Sequence, residues 1–197
     1  MESVEDPPPP DRDDTPPAPG DLELVRGFLS LHDHRLGTED SLPASPSTLE
    51  SWLRDRALIP TELEPPGADL RWALDVLEAM REKVFENVGV AVPDSAVRRL
   101  NEAAREARLE LRFANGGRTR FEAGAPGVRG AVGTLIGIAF LAELDGSWAH
   151  FKECGNPTCR AIFFDRSKNH SGKWCSMRSC GNRAKVRRFR EKRAAMS

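Results

Sequence analysis

The chain has 197 residues, 39% hydrophobic and 30% charged, which is enough for one ordinary domain with a small appendage. No cationic start leads into an apolar stretch, and the longest apolar run, Ala131 to Ala142, is interrupted by Gly133, Thr134 and Gly137, so neither a signal peptide nor a membrane span of roughly 20 residues is predicted. The formal net charge of −1 conceals a polarity: residues 152–197 hold thirteen Lys/Arg against three acids, a net of +10, and the rest of the chain nets −11, which points to a polyanion-facing end on an acidic body.

Residues 1–20 hold seven of the fifteen prolines and six acids against Arg12. Such a segment has too little apolar surface to offset its ordering entropy and is expected to be disordered. From Asp21, the residues Leu22, Val25, Leu29 and Leu24, Phe28, Leu31 recur at helical spacing up to about His32. Ser47 with Glu50 reads as a capping box for a short helix through Leu49, Trp52 and Leu53, ended by Pro60, Pro65 and Pro66. Asp69 to about Val88 is amphipathic, with Ala73, Leu77, Met80 and Val84 on one face. Asp94 or Ser95 is placed to cap a further helix carrying Val97, Leu100 and Ala104.

The period then changes. Leu109, Leu111 and Phe113 alternate with Arg108, Glu110 and Arg112; Asn115-Gly116-Gly117 is a turn signal, and Thr119 to Glu122 returns as a second strand. Val128 to Leu144 reads as a nearly all-apolar helix for the centre of a bundle, ended by Asp145-Gly146. The predicted class is mainly α: a tail over 1–20, a helical domain over 21–147 with one small hairpin, and a basic module over 148–197.

The module carries the strongest chemical signal, Cys154, Cys159, Cys175 and Cys180 in a C-x4-C-x15-C-x4-C spacing. Two close pairs joined by a loop supply four thiolates to one tetrahedral ion, and zinc suits that donor set. Four protein ligands leave no open position, so the expected zinc is structural. A thiol redox pair and four free buried cysteines are the alternatives; neither pair has the C-x-x-C spacing of a redox motif. Ala161 to Asp165 is a short strand signal, Lys168 to Lys173 the turn, and Trp174 opens the return. A basic helix follows Cys180. Knuckle, hairpin and helix in that order make a treble-clef-like finger, too small to fold without its metal.

Along that helix, Asn182, Val186, Phe189 and Arg193 share one face, and Val186 and Phe189 are expected to pack on the hairpin. Arg183, Arg187 and Arg190 lie on a neighbouring face, with Lys185, Arg188 and Lys192 on others. Cations at this density match phosphate contact, with Asn182 and Arg183 as candidates for base edges. The alternative is that the cations are solvated or neutralise a zinc tetrathiolate.

Cys154-Gly155-Asn156, Phe164-Asp165-Arg166-Ser167-Lys168-Asn169, Trp174-Cys175-Ser176-Met177 and Cys180-Gly181-Asn182-Arg183 together resemble the CGNR zinc-finger family. The helical body resembles the ABATE domain that precedes this finger in bacterial proteins. The resemblance covers about residues 21–193. It implies zinc ligation by the four cysteines and a stress-induced transcription regulator. One stretch departs from it: where the family's body often opens Phe/Leu-Val-Asn-Thr, this chain has Leu24-Val25-Arg26-Gly27.

His32 and His34 read as surface residues at a helix end, and His150 and His170 as neighbours of a site that four cysteines already fill. Trp52, Trp72 and Trp148 read as core or interface anchors, and Trp174 as packing on the hairpin. No catalytic constellation is apparent, so the chain is read as a non-enzyme. The leading expectation is a DNA-binding regulator of the bacterial cytoplasm, associated with the nucleoid and able to act as a homodimer. The alternative is a zinc-stabilised protein- or RNA-interaction module; Phe163 and Phe164 face opposite sides of a strand, so one of them is a candidate for stacking on RNA bases. The acidic tail is a candidate competitor for the basic finger.

Overall fold

A computed structural model of the chain describes residues 15–31, 44–113, 115–116, 119–157 and 159–194. His32, His34 and the first fourteen residues of the tail lie outside the described residues. Six α-helices and two antiparallel hairpins are present among the described residues: α1 (Leu22–Leu29), α2 (Pro46–Asp55), α3 (Gly67–Phe85), α4 (Asp94–Glu106), β1 (Leu109–Arg112), β2 (Arg120–Ala123), α5 (Gly127–Asp145), β3 (Phe151–Glu153), β4 (Ile162–Phe164) and α6 (Asn182–Ala194).

The helix starts are set differently from the capping signals in the sequence. Helix α2 begins two residues earlier than a Ser47 cap would place it: Ser45 is the cap, its hydroxyl accepts from the Thr48 N–H at 3.1 Å, and Pro46 takes the first helical position. Proline is favoured there because its missing N–H would have no helical partner. Helix α4 starts from Pro93, with Asp94 already inside the first turn, where a carboxylate favours the helix dipole. Helix α2 stops at Asp55, well before Pro60; the reversal comes at Ala57, which adopts φ +52°.

One continuous core joins these elements. Val25, Phe28 and Leu29 of α1, Leu49, Trp52 and Leu53 of α2, Ala73, Val76, Leu77, Met80 and Val84 of α3, and Val128, Val132 and Leu135 of α5 are buried together. Gly27 faces the Trp52 ring, and a Cβ there would lie 3.1 Å from it. In the Leu24-Val25-Arg26-Gly27 stretch, glycine thus makes room for Trp52, and Arg26 pairs with Glu23. The tryptophans at 52, 72 and 148 are buried as expected.

Helix α5 is long and apolar enough by composition to cross a membrane, but its apolar surface is used in packing against α1, α3, α4 and the first hairpin. Burial is concentrated toward its start. Gly133 lets the hairpin approach, since a Cβ there would come within 2.6 Å of Ala107 Cβ and 2.8 Å of Ala123 Cβ. Toward its end, Phe140, Leu141 and Leu144 are exposed, so the helix is central at one end and on the surface at the other. Gly146, at φ +81°, terminates it in the left-handed conformation that glycine adopts without Cβ strain.

The second hairpin differs from the expected one. Strand β4 pairs with β3, which precedes the first cysteine, in the register Phe151↔Phe164, Lys152↔Phe163 and Glu153↔Ile162. The segment around Trp174 makes no strand. It lies against the first knuckle instead, where the Gly155 N–H donates to the Lys173 carbonyl at 2.8 Å. The hairpin is shared between two cores by strand alternation. Phe151, Ile162 and Phe164 enter the core of the body, and Phe163 packs among the four cysteines.

Candidate metal centre and basic face

Cys154 follows β3 directly and Cys159 ends the turn that leads to β4, so the first pair sits in the loop of the hairpin. Cys175 precedes a wide helical turn, Met177–Gly181, which holds Cys180 and runs into α6. The Ser176 hydroxyl caps this turn, accepting from the Arg178 N–H at 3.2 Å and the Ser179 N–H at 3.4 Å. All four cysteines are buried, and their sulfurs lie within 4.8 Å of one another. The Cys159–Cys175 and Cys175–Cys180 sulfur separations are 3.7 and 3.8 Å. Disulfides need about 2.05 Å. Sulfurs around a tetrahedral zinc, each about 2.3 Å from the ion, stand about 3.8 Å apart. The four cysteines are positioned to bind one metal ion, and their geometry fits a structural zinc.

The electrostatics of the quartet agree with a cation at its centre. Hydrogen bonds from the Cys154, Cys159 and Cys175 thiols hold Cys180 well below the ordinary thiol pKa. The bonds that Cys175 and Cys159 make to neighbouring sulfurs push both of them well above it, with burial adding to the rise. Cys154 is lowered too, chiefly by its bond from Cys159, so two of the four sulfurs are held toward the thiolate while the other two keep their protons. A divalent cation releases those protons.

Several residues around the quartet were not singled out by sequence reasoning. Asn156, buried, donates its side-chain N–H to Cys180 Sγ at 3.5 Å, the kind of outer contact that orients a metal ligand. Asp165, also buried, organises the loop between the pairs: it accepts from Lys152 Nζ at 2.7 Å, the Ser167 N–H at 3.0 Å and the Gly172 N–H at 2.8 Å. Burial pushes its carboxyl up, but these bonds outweigh burial and hold it well below the usual range. A Cβ on Gly172 would meet Asp165 Oδ1 at 2.6 Å. Both residues lie in or beside the motif stretches, but one sequence does not reveal their partners.

The finger is joined to the body by polar contacts as well as by the hairpin. Arg81 of α3 is buried and donates to the Leu29 carbonyl at 2.6 Å and, in the knuckle, to the Arg160 carbonyl at 3.1 Å. Asn87 donates to the carbonyls of Trp148 and Phe151 at 2.8 and 3.0 Å. His150 and His170 stack on each other with ring centroids 3.9 Å apart, and His150 packs on Phe164; the metal-capable group among the described residues contains neither.

Helix α6 has no buried residue. Arg183 is half-buried, and Asn182, Lys185, Arg187, Arg188 and Arg190 are exposed. Val186 and Phe189 are 49% and 62% exposed, so the expected packing of both on the hairpin is not found. The hairpin faces they would have covered are already taken by the cysteine cluster and by the core of the body. Phe189 has the Arg193 guanidinium over its ring at 6.0 Å. The Asn182 amide donates to the Arg178 carbonyl at 3.0 Å, which ties it to the turn below the helix. Phe163 and Phe164 do face opposite sides of β4, but both are buried, at 4% and 8% exposure, which removes the hairpin as a stacking platform.

A second concavity lies in the body. It is about 360 Å³, opens between α3, α4, α5 and the first hairpin, and is lined chiefly by apolar side chains such as Leu100, Phe121, Ile136 and Phe140. Lys83 and Glu143 line it too and are 3.2 Å apart as an ion pair.

A compact four-sulfur metal centre rooting a basic helix, docked on a helical domain, defines a zinc-finger protein. Residues 22–145 match the family model for ABATE, described as "Putative stress-induced transcription regulator", and residues 150–193 match that for the CGNR zinc finger. The chain belongs to the ABATE family and carries the CGNR finger after it. A search of curated proteins finds no match to the chain.

Proposed function

We propose that the protein is a DNA-binding transcription regulator whose zinc finger presents α6 to nucleic-acid phosphates. The observation that carries this reading is the density of cations without an ion pair along α6. In the body, Arg26, Arg54, Lys83, Arg112 and Arg129 each pair with a carboxylate. On α6, Arg183, Lys185, Arg187, Arg188, Arg190 and Lys192 make no ion pair among the described residues, and no residue of the helix is buried. Unpaired cations on a helix standing clear of its own protein suit the phosphate rows beside a major groove. Arg183 and Arg187 are the candidates for guanine edges, since the Asn182 amide already serves the Arg178 carbonyl.

The description attached to the family supports a regulator, and a role in stress response rests on that description. The role is binding rather than catalysis, exercised at the nucleoid in the cytoplasm. RNA is the weaker partner, because the two aromatic side chains of β4, Phe163 and Phe164, are buried. A protein contact through α6 is favoured by the exposure of Val186 and Phe189 alone, which suits a homodimer on paired half-sites.

The test is duplex-DNA binding by the zinc-loaded protein at moderate salt. Arg187→Ala/Arg188→Ala/Arg190→Ala is expected to weaken binding at least about tenfold, while Val186→Ala/Phe189→Ala leaves the monomeric affinity in place. Equal affinity of the arginine variant and the parent would overturn the DNA reading. Loss of self-association in the second variant alone would establish the protein-contact reading.

A further inference from the structure

The described part of the N-terminal segment lies against the finger. The Pro17 carbonyl accepts from Arg166 Nη1 at 3.3 Å. Ala18 is buried, and its N–H donates to Glu23 Oε2 at 2.7 Å, which fixes where the segment meets the fold. The expectation of disorder over all of 1–20 therefore fails for residues 15–20. Pro16 lines a groove of about 620 Å³ in the finger, together with Trp174, Met177, Arg166, Lys173 and Arg178. None of these three cations makes an ion pair among the described residues.

We infer that this groove is a binding surface for an acidic, proline-rich peptide, and that its occupant is residues 1–14 of the same chain. Those fourteen residues carry six acids against Arg12, a net of −5, with four consecutive prolines at 7–10. They enter the fold at Thr15, beside the groove, and the module they meet nets +10. Tethering at that point makes the encounter intramolecular, at an effective concentration in the millimolar range. Proline restricts the free segment and lowers the entropy lost on docking, and Trp174 supplies the aromatic wall that proline-rich segments use elsewhere. Arg166, Lys173 and Arg178 then face carboxylates. The turn that carries Arg178 leads into α6, so the segment competes with any polyanion approaching the base of that helix. The competition rests on the nucleic-acid reading above; the docking does not.

The experiment compares the full zinc-loaded chain with a charge-neutralised variant, Glu2→Gln/Glu5→Gln/Asp6→Asn/Asp11→Asn/Asp13→Asn/Asp14→Asn. The indole N–H of Trp174, identified through Trp174→Phe, and the backbone amides of Lys173 and Arg178 are followed by NMR between low and high salt. In the parent these signals are expected to move with salt and converge on those of the variant, independent of protein concentration. Identical parent and variant spectra at low salt would overturn the inference, and a shift that grows with protein concentration would overturn the intrachain occupant in favour of a second copy. With duplex DNA present, the variant is expected to bind about three- to tenfold tighter at low salt. A segment that docks without altering DNA affinity overturns only the competition; absence of DNA binding in both proteins counts against the nucleic-acid reading alone.

Discussion

The sulfur of Cys180 shows how single residues are set by their neighbours. Three cysteines and the Asn156 amide hold it toward the thiolate, while Cys159 and Cys175 are held toward the thiol. Zinc must displace those protons, so its affinity falls as pH falls. Zinc stoichiometry measured with a metallochromic dye is expected to be one ion per chain at neutral pH, with release on acidification. Cys175→Ser should lose the ion and Asn156→Ala should weaken it about 10-fold. Retention of zinc by Cys175→Ser would mean that the ligand set is wrong. Asp165 has a different pH signature. Its carboxyl is held low in the fold, so its contribution is complete above the ordinary carboxylate range and fades as pH drops toward its folded value. Asp165→Asn should cost about 1–3 kcal/mol at neutral pH from lost charged hydrogen bonds, and the gap to the parent should narrow below about pH 4. Thermal denaturation at the two pH values checks this.

At the scale of elements, close approach and solvation divide the molecule. Helix α5 touches the first hairpin through Gly133, and Gly133→Ala should destabilise the fold by about 1–3 kcal/mol through overpacking, read as a lowered denaturation midpoint. Helix α6 is the opposite case. With no buried residue, its arginines should be replaceable by alanine with little change in that midpoint. The helices were legible in the sequence because apolar residues such as Ala73, Leu77, Met80 and Val84 repeat at helical spacing. The four ligands were legible because their chemistry is local. The starts of α2 and α4 were not, since Ser45-Pro46 and Ser47 offer competing caps and only the packed helix chooses between them. The partner of β4 was missed because β3 is three residues long and lies before the first cysteine. The exposure of Val186 and Phe189 could not be read from their spacing, which suits packing equally well; what decides it is that other groups already occupy both faces of the hairpin.

At the scale of the whole molecule, the described residues form a helical core and a small cysteine cluster that share the second hairpin. Phe151, Ile162 and Phe164 place the finger's hairpin in the core of the body, and Arg81 binds both parts. Chelating the zinc should therefore lower the melting temperature of the entire chain, with helix content and tryptophan fluorescence lost in one transition; two separate transitions would show body and finger to be independent. Charge is distributed on the same scale: ion pairs such as Arg129–Asp69 and Lys83–Glu143 lie on the body, while Arg183, Lys185, Arg187, Arg188, Arg190 and Lys192 of α6 make no ion pair among the described residues. The measurement that tests this most directly is the affinity of the zinc-loaded protein for duplex DNA over a series of salt concentrations. Log Kobs is expected to fall linearly with log salt, with a slope of about −0.9 per phosphate contact, reduced by about one unit for each arginine of Arg187, Arg188 and Arg190 that is replaced by alanine. A slope that stays the same when those arginines are removed, or no binding at low salt with zinc in place, would contradict it.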